Sequence, residues 1–503
     1  MFTKLTSAAV MGLECVPVVV EVDINKGQTN FAIVGLADTS IKEAKDRLYS
    51  ALKNSGFDYP FNFRLLVNLA PADIQKEGPS YDLPMAVGVI SLSNDLTFSL
   101  DDALIAGELA LDGKVRHVTG VLPLALFAKE RGLKRLFIPA SDAAEAALVE
   151  GILIYPVDSL LQLINHLKGV TMIVPYEPVE QPETESAVYT MDLAFIKGQE
   201  FAKRALEIAA SGAHNLLMSG PPGSGKTLLA RTLPSILPSL STSEALEVTK
   251  IYSVAGLLRG GIIRERPFRS PHHTASGVAL VGGGRMPRPG EISLAHRGVL
   301  FLDEFPEFPR MVIENLRQPL EDGIITVSRA QGTWSFPARF ILVASQNPCL
   351  CGYASDPDQR CTCTAPQLIK YQKKISGPLL DRIDLHVEVP RVKFEKLTSD
   401  ELAESSVIVR ARVEAARERQ RDRFRECGIQ TNSEMGNAEI REFCKLDGPS
   451  IDLLKAAVNQ LHLSARAYNR ILKLSRTIAD LAGSNNIVLE HVAEALQFRA
   501  KAD

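Results

Sequence analysis

The residues with the clearest chemical potential form a glycine-rich run between a strand-like segment, residues 215–218, and a helical one, residues 228–233. The run consists of Gly220, Pro221, Pro222, Gly223, Ser224, Gly225, Lys226 and Thr227. Glycines allow backbone N–H groups to wrap a phosphate at a helix N-terminus, a lysine here reaches the β- and γ-phosphates, and a threonine hydroxyl holds magnesium. The run therefore predicts a P-loop that binds ATP and Mg²⁺.

A pair of acidic residues supplies the second half of this chemistry. Asp303 and Glu304 follow the apolar run at 298–302, which predicts a buried parallel strand. Open α/β sheets bind ligands at the carboxyl ends of such strands. We expect Asp303 to hold magnesium through water and Glu304 to polarise the water that attacks the γ-phosphate.

Four of the seven cysteines crowd into one short segment of the chain. They are Cys349, Cys351, Cys361 and Cys363. Four thiolates this close can hold a tetrahedral zinc ion that closes the intervening loop. Their C-x-C spacing differs from the commoner C-x-x-C, so free thiols or a redox-sensitive cluster remain the alternatives.

The composition limits the class of protein that carries these residues. The chain has 503 residues, 46% of them hydrophobic and 23% charged, which indicates a soluble protein of several domains. The net charge of −3 gives no global basic footprint, so any nucleic-acid contact must come from a local patch or an assembled pore. Few cysteines and no long apolar run predict a cytoplasmic protein without a membrane partner.

The pattern of strands and helices predicts three domains of α/β and helical type. Residues 1–170 alternate strand-like and helical runs, and the Pro- and Glu-rich residues 171–190 predict a linker. Residues 191–390 predict a second α/β domain, with the P-loop on a parallel sheet. Residues 391–503 predict a helical lid.

Several longer runs resemble one family. They are IKGQ (196–199), FRSPHHTAS (268–276), PGEISLAHRGVLFLDEF (289–305), NPCLCG (347–352) and GPLLDRIDLHVEVP (377–390). Together they look like the magnesium-chelatase-like AAA+ ATPases of the ComM/YifB family, over essentially the whole chain. The resemblance implies a hexameric, ATP-driven DNA helicase that promotes branch migration in natural transformation. Its implied partners are single-stranded or branched DNA and recombination proteins.

The resemblance also implies roles for three residues outside the P-loop. Asn347 resembles sensor 1, which aligns the attacking water. Arg382 resembles the arginine finger, which reaches the ATP of the neighbouring subunit. Arg466 resembles sensor 2, which acts on the nucleotide of its own subunit. For both arginines, a surface or interface salt bridge is the alternative interpretation.

The segment from 259 to 297 is locally basic, with seven arginines and two acidic residues. In a ring, such an insert would line the pore and contact a phosphate backbone. Residues 324–340 predict a hairpin that resembles the pre-sensor hairpin of ring helicases. We therefore expect DNA contacts from Arg285, Arg288, Arg329 and Trp334. Subunit contacts and a merely solvated basic face are the alternatives.

The N-terminal domain resembles the proteolytic domain of Lon, which has a ribosomal S5 domain 2-like fold. The similar runs are residues 76–90 and 106–128. Ser80 matches the nucleophile of Lon, but the position of its lysine partner holds Pro123. A serine without its base is a weak nucleophile, so we expect a non-proteolytic relative.

Three classes of function are compatible with these features. The DNA motor is preferred because of the basic insert and the hairpin. The alternative is an ATP-driven protein-remodelling or chelatase-type motor that acts on a protein partner. The third class, an ATP-dependent protease, is disfavoured by Pro123.

Overall fold

The computed structural model describes residues 1–178, 191–258, 260–284, 287–329, 332–356, 358–392, 403–461 and 463–499. The chain divides into two compact units. The first comprises Met1–Thr184, Ala245–Ile263 and Arg285–Arg288, and the second comprises Glu185–Glu244, Arg264–Gly284 and Pro289–Asp503. Most of the predicted linker lies outside the described residues, and the predicted domain boundaries stay a prediction.

The first unit is built on a mixed sheet of seven strands. The strands of residues 1–178 are β1 (Phe2–Met11), β2 (Glu14–Lys26), β3 (Asn30–Val34), β4 (Phe63–Ala70), β5 (Ala103–Ile105), β6 (Glu108–Leu109), β7 (Val115–Arg116), β8 (Arg135–Pro139) and β9 (Leu153–Val157). Of these, β6 and β7 form a separate small hairpin, and the others form the sheet. The order across the sheet is β3-β4-β2-β1-β5-β8-β9. Along β2, Val18, Val20 and Val22 are buried in alternation, which fixes the face that packs on the core.

Five helices of this unit lie within residues 1–178. They are α1 (Thr39–Asn54), α2 (Asp82–Ser93), α3 (Val121–Glu130), α4 (Ala143–Ala146) and α5 (Leu160–Leu167). Ser80 lies in a 3₁₀ turn just before α2, and Pro123 is buried within α3. The buried ammonium of Lys76 donates to the carbonyl oxygens of Gly35 and Pro71. The non-proteolytic interpretation of this domain stays a prediction.

The core of the second unit is a five-stranded sheet in which every pairing is parallel. The strands from residue 191 onward are β10 (Leu216–Ser219), β11 (Phe268–Arg269), β12 (Gly282–Gly283), β13 (Arg288–Pro289), β14 (Val299–Leu302), β15 (Ile324–Arg329), β16 (Gly332–Pro337), β17 (Ile341–Gln346) and β18 (Leu385–Glu388). The sheet has the order β11-β14-β17-β10-β18. Its central strands are almost wholly buried, as parallel strands covered on both faces are.

The helices from residue 191 onward include those of the C-terminal region; the one over Thr242–Ala255 falls largely within the first unit. They are α6 (Glu200–Gly212), α7 (Lys226–Ile236), α8 (Thr242–Ala255), α9 (Gly277–Val281), α10 (Glu291–Leu294), α11 (Arg310–Glu314), α12 (Arg317–Asp322), α13 (Ala365–Gln372), α14 (Gly377–Leu380), α15 (Ser406–Arg423), α16 (Asn437–Phe443), α17 (Gly448–Leu461), α18 (Ala465–Leu481) and α19 (Leu489–Gln497). The expected α/β class, parallel sheet around the P-loop and C-terminal helical region are confirmed. Among the described helices, none is long and apolar enough to cross a bilayer.

A buried ionic network joins the C-terminal helices. The carboxylate of Asp480, with no exposed side-chain surface, accepts hydrogen bonds from Arg423 of α15, from Arg476 and from the Asn432 amide. Burial lowers the pKa of Arg476, and the charge of Asp480 opposes that shift. The carboxylate therefore balances two guanidinium groups with little access to water.

We expect Asp480→Ala to destabilise the second unit by about 3–5 kcal/mol, because it leaves buried guanidinium groups without a counter-ion. Denaturant unfolding followed by circular dichroism measures the effect as a lower midpoint for this unit's transition. Asp422→Ala is the matched control, because it removes an exposed carboxylate paired with Arg425. Equal midpoints for the two variants would contradict the expectation.

Candidate functional site

The glycine-rich run turns from the end of β10 into α7. Gly223 and Gly225 have φ values of 75° and 92°, a left-handed conformation that glycine adopts without strain. A Cβ atom at Gly220 would lie 2.1 Å from the carbonyl oxygen of Val389, so a larger residue would not fit there. Gly225 caps α7 without a side chain, which leaves the helix N-terminus open to an anion.

Lys226 extends along this loop. Its ammonium donates to the carbonyl oxygens of Gly220 at 2.6 Å and Pro221 at 2.9 Å, and to Oδ1 of Asn347 at 3.3 Å. Burial lowers the pKa of Lys226, while the charges of Asp303 and Glu304 act to raise it. The loop therefore holds a desolvated cation beside the open helix N-terminus.

Asp303 meets the loop from the end of β14. Its Oδ2 accepts a hydrogen bond of 2.9 Å from the Thr227 hydroxyl, and its Oδ1 accepts one from the Ser345 hydroxyl of β17. Hydroxyl and carboxylate oxygens are ligands that Mg²⁺ prefers. The donor set formed by Thr227 and Asp303 therefore fits that ion.

Glu304 is held in an unusual backbone conformation, with a φ of 51° and a half-exposed side chain. Its Oε2 lies 3.6 Å from Nδ1 of His273. The ring of His273 packs against that of His272, with centroids 4.1 Å apart, and meets the edge of Phe308. The polar contact and the two ring contacts restrict where the Glu304 carboxylate can point.

The sequence patterns described above do not predict the contact between His273 and Glu304. Because β11 pairs in parallel with β14, the residues that follow β11 reach the same edge of the sheet as Glu304. The position of His273 shortly after β11 could have indicated this contact. However, β11 is only two residues long, so its strand pattern in the sequence is weak.

Arg382 and Arg466 meet at one carboxylate. Glu321 accepts hydrogen bonds from Arg382 and, at 3.2 Å, from Nη2 of Arg466. The Arg382 guanidinium is the main cause that holds the pKa of Glu321 below its usual range, and Arg466 adds to it. In the part of the chain that the structure describes, the hydrogen bonds and ion pairs of Arg466 do not reach the P-loop.

Three arginines of the basic segment are bound within the fold. Arg266 pairs with Glu244 at 3.1 Å and Arg269 with Glu291 at 2.6 Å, while the Arg297 guanidinium donates to the side chain of Gln430. All three side chains are at least two-thirds buried. Much of the local positive charge is therefore engaged in internal contacts.

The hairpin predicted before sensor 1 is present as β15 and β16, paired antiparallel from Ile324 to Pro337. Arg329 is exposed near its tip, and Trp334 is half-buried with its indole over Gly332. Arg288 is exposed in β13. Arg285 lies outside the described residues.

The four clustered cysteines converge in space, with every pair of sulfur atoms within 4.8 Å. They follow Asn347 directly, beyond the end of β17. The remaining cysteines are isolated free thiols: Cys15, Cys427 and Cys444.

Comparison with known proteins gives a consistent result along the chain. Three family descriptions match it: Subunit ChlI of Mg-chelatase over residues 20–142, Magnesium chelatase, subunit ChlI, over 192–397, and Magnesium chelatase, subunit ChlI C-terminal, over 403–499. The chain is 45% identical to the competence protein ComM of Haemophilus influenzae over 500 residues, 98% of this chain and 96% of that protein.

Two further relatives mark the range of similarity. YifB of Escherichia coli is 43% identical over 501 residues, 98% of this chain and 96% of that protein. The magnesium-chelatase 38 kDa subunit of Cereibacter sphaeroides is 28% identical over 171 residues, 30% of this chain and 51% of that protein.

We expect His273→Ala to lower ATP turnover about two- to tenfold with little change in ATP affinity, because the lost contact positions Glu304 rather than the phosphates. Steady-state hydrolysis and equilibrium nucleotide binding separate the two quantities. His117→Ala is the matched control, since its ring pairs with Asp142 instead of Glu304. Wild-type turnover in His273→Ala would contradict this positioning role.

Proposed function

The chain belongs to the ComM/YifB family of magnesium-chelatase-like proteins, and we propose that it is an AAA+ ATPase that works as a DNA motor. One observation carries the ATPase: Lys226, Thr227, Asp303 and Asn347 meet at the carboxyl ends of three adjacent parallel strands. The similarity to a competence protein supports a role in DNA uptake.

The residues of the site divide the work of hydrolysis. Lys226 and the N-terminus of α7 bind the β- and γ-phosphates of ATP, and Thr227 and Asp303 hold Mg²⁺. The metal ion, when bound, neutralises charge on the phosphate oxygens. Asn347 aligns the attacking water, Glu304 accepts its proton, and His273 keeps the Glu304 carboxylate in position.

Arg382 completes the site from a neighbouring subunit, and Arg466 acts on the nucleotide of its own subunit. Both guanidinium groups share Glu321, and the Arg466 side chain is more than half exposed. An arginine delivered across a subunit interface stabilises charge on the transferring phosphoryl group, an effect worth about 10³–10⁵ in rate. The proposed assembly is a homo-hexameric ring.

DNA is the proposed track of the motor. Exposed Arg288 and Arg329 can neutralise phosphates, and Trp334 offers a ring on which a base can stack. We propose a helicase that acts on single-stranded or branched DNA and promotes branch migration, alongside recombination proteins, in natural transformation.

A protein-remodelling or chelatase-type motor is the second candidate. It is favoured by the similarity to a magnesium-chelatase subunit, and by the engagement of Arg266, Arg269 and Arg297 in internal contacts. Those contacts leave fewer basic side chains for a phosphate backbone. The two candidates differ in whether DNA stimulates hydrolysis.

We expect Lys226→Ala to abolish ATP binding, and Glu304→Gln to bind ATP but lose hydrolysis, because one change removes the phosphate-binding cation and the other the group that accepts the proton. Binding of a fluorescent ATP analogue and phosphate release measure the two steps. Glu307→Gln, at an exposed acid of the next turn, should hydrolyse ATP normally. Wild-type turnover in Glu304→Gln would refute its assignment.

We expect branched or single-stranded DNA to stimulate hydrolysis, and the protein to displace a strand. Replacing Arg288 and Arg329 together with Ala should weaken DNA binding and reduce the slope of affinity against salt by about 1 to 2, because phosphate contacts release counterions. Trp334→Ala should lose affinity without changing that slope, since stacking is not ionic.

Arg425→Ala is the matched control, because Arg425 is an exposed arginine on the surface of the C-terminal helices. The double variant should keep its hydrolysis without DNA, since neither arginine touches the P-loop contacts described above. Unaltered DNA affinity and strand displacement in the double variant would favour the protein-remodelling motor instead.

A further inference from the structure

The four clustered cysteines form a site with the dimensions of a tetrahedral metal centre. The sulfur of Cys349 lies 3.3 Å from that of Cys351 and 3.8 Å from that of Cys361, and the latter two are 3.6 Å apart. A tetrahedral ion with metal–sulfur bonds of about 2.3 Å would separate its ligands by about 3.8 Å. Cys363 completes the group within 4.8 Å of the others.

The backbone around these sulfur atoms is arranged to stabilise thiolates. The backbone N–H group of Cys351 donates to the sulfur of Cys363 at 3.4 Å. Such a donor is part of an outer shell that fixes the orientation of metal ligands. Cys349 is buried and the other three are half-buried, so bulk water has limited access to the centre.

The cysteine segment is packed against the phosphate-binding loop. A Cβ atom built on Gly352 would lie 2.7 Å from Cδ and 2.8 Å from Cγ of Pro222, so the glycine backbone touches the proline ring. The preceding residue of the loop, Pro221, accepts a hydrogen bond from the Lys226 ammonium. A displacement of Gly352 would therefore remove a packing contact from the loop that positions Lys226.

A second connection runs through the strand on the other side of the loop. Asp356, which has no exposed side-chain surface, pairs with Arg391 at 2.9 Å. Two residues before Arg391, the carbonyl oxygen of Val389 closes on Gly220. The cysteine segment thus contacts the run directly at Pro222, and Asp356 ties it through Arg391 to the segment whose Val389 closes on Gly220.

We propose that the four cysteines bind one zinc ion, and that this ion holds the cysteine segment against the phosphate-binding loop and so sets its affinity for ATP. Thiolate ligands in tetrahedral geometry select zinc among the common divalent ions. The zinc site itself stands on the cysteine geometry alone. Its effect on ATP rests on the proposed nucleotide site.

The test uses the full chain, purified under reducing conditions. Elemental analysis should find about one zinc ion per chain. The double variant Cys361→Ser, Cys363→Ser should lose the zinc, and hydrogen exchange without nucleotide should become faster in peptides that cover residues 220–227. ATP should bind about tenfold more weakly, the effect of losing roughly one hydrogen bond to the ligand.

Two variants separate the metal from the contact. Cys427→Ser removes an exposed thiol outside the cluster and should keep zinc, slow exchange and ATP affinity. Gly352→Ala keeps all four thiols but presses a methyl group on Pro222 and strains a backbone with a φ of 89°, so it should keep zinc and still weaken ATP binding. The second variant tests the contact even if the double variant does not fold.

Each outcome bears on a separate part of the proposal. Near-zero zinc with four titratable thiols, or iron in place of zinc, would overturn the metal assignment. Loss of zinc without faster exchange at residues 220–227 would overturn the coupling. Faster exchange in a chain that never binds ATP would support the coupling and refute the nucleotide site instead.

Discussion

The site depends on the parallel alignment of three strands. β17 lies between β10 and β14, and residues at their carboxyl ends pair in register, Ser219 with Gln346 and Leu302 with Ala344. Residues that leave these strands must therefore start from one edge of the sheet. This constraint brings a loop lysine, a strand-end amide and a strand-end carboxylate together from segments more than forty residues apart.

Charged side chains are concentrated at this edge of the sheet. The buried Lys226 ammonium is compensated by carbonyl and amide oxygens and by nearby acids, which limits the cost of its desolvation. Arg382 and Arg466 are compensated differently, by one half-exposed glutamate. A partner of that kind can be exchanged for phosphate oxygens at low cost, because surface ion pairs are weak.

Local motifs were predictable from the sequence, and contacts between motifs were not. The P-loop, the acids after β14 and the β15–β16 hairpin each depend on a few neighbouring residues, so their spacing carried the information. The contact of His273 with Glu304 and the packing of Gly352 on Pro222 join distant segments. Both contacts follow from the order of strands in the sheet, which no local pattern encodes.

The ion pairs of the basic segment were likewise not predictable from local sequence. Its composition predicted a positive surface, but composition does not tell which arginines meet an acid in the folded chain. Glu244 lies outside the segment, and it engages Arg266. The charge left for a partner is therefore a property of the tertiary structure, and Arg288 is a member of the segment that stays exposed.

The central claim is that each nucleotide site is completed by a neighbouring subunit. Its most direct test mixes Lys226→Ala chains with Arg382→Ala chains, each inactive alone, and measures ATP hydrolysis. In a random one-to-one ring, about a quarter of the interfaces would join an intact P-loop to an intact arginine, and hydrolysis should return in part. If mixed rings form and hydrolysis does not return, Arg382 does not act on the neighbour's nucleotide.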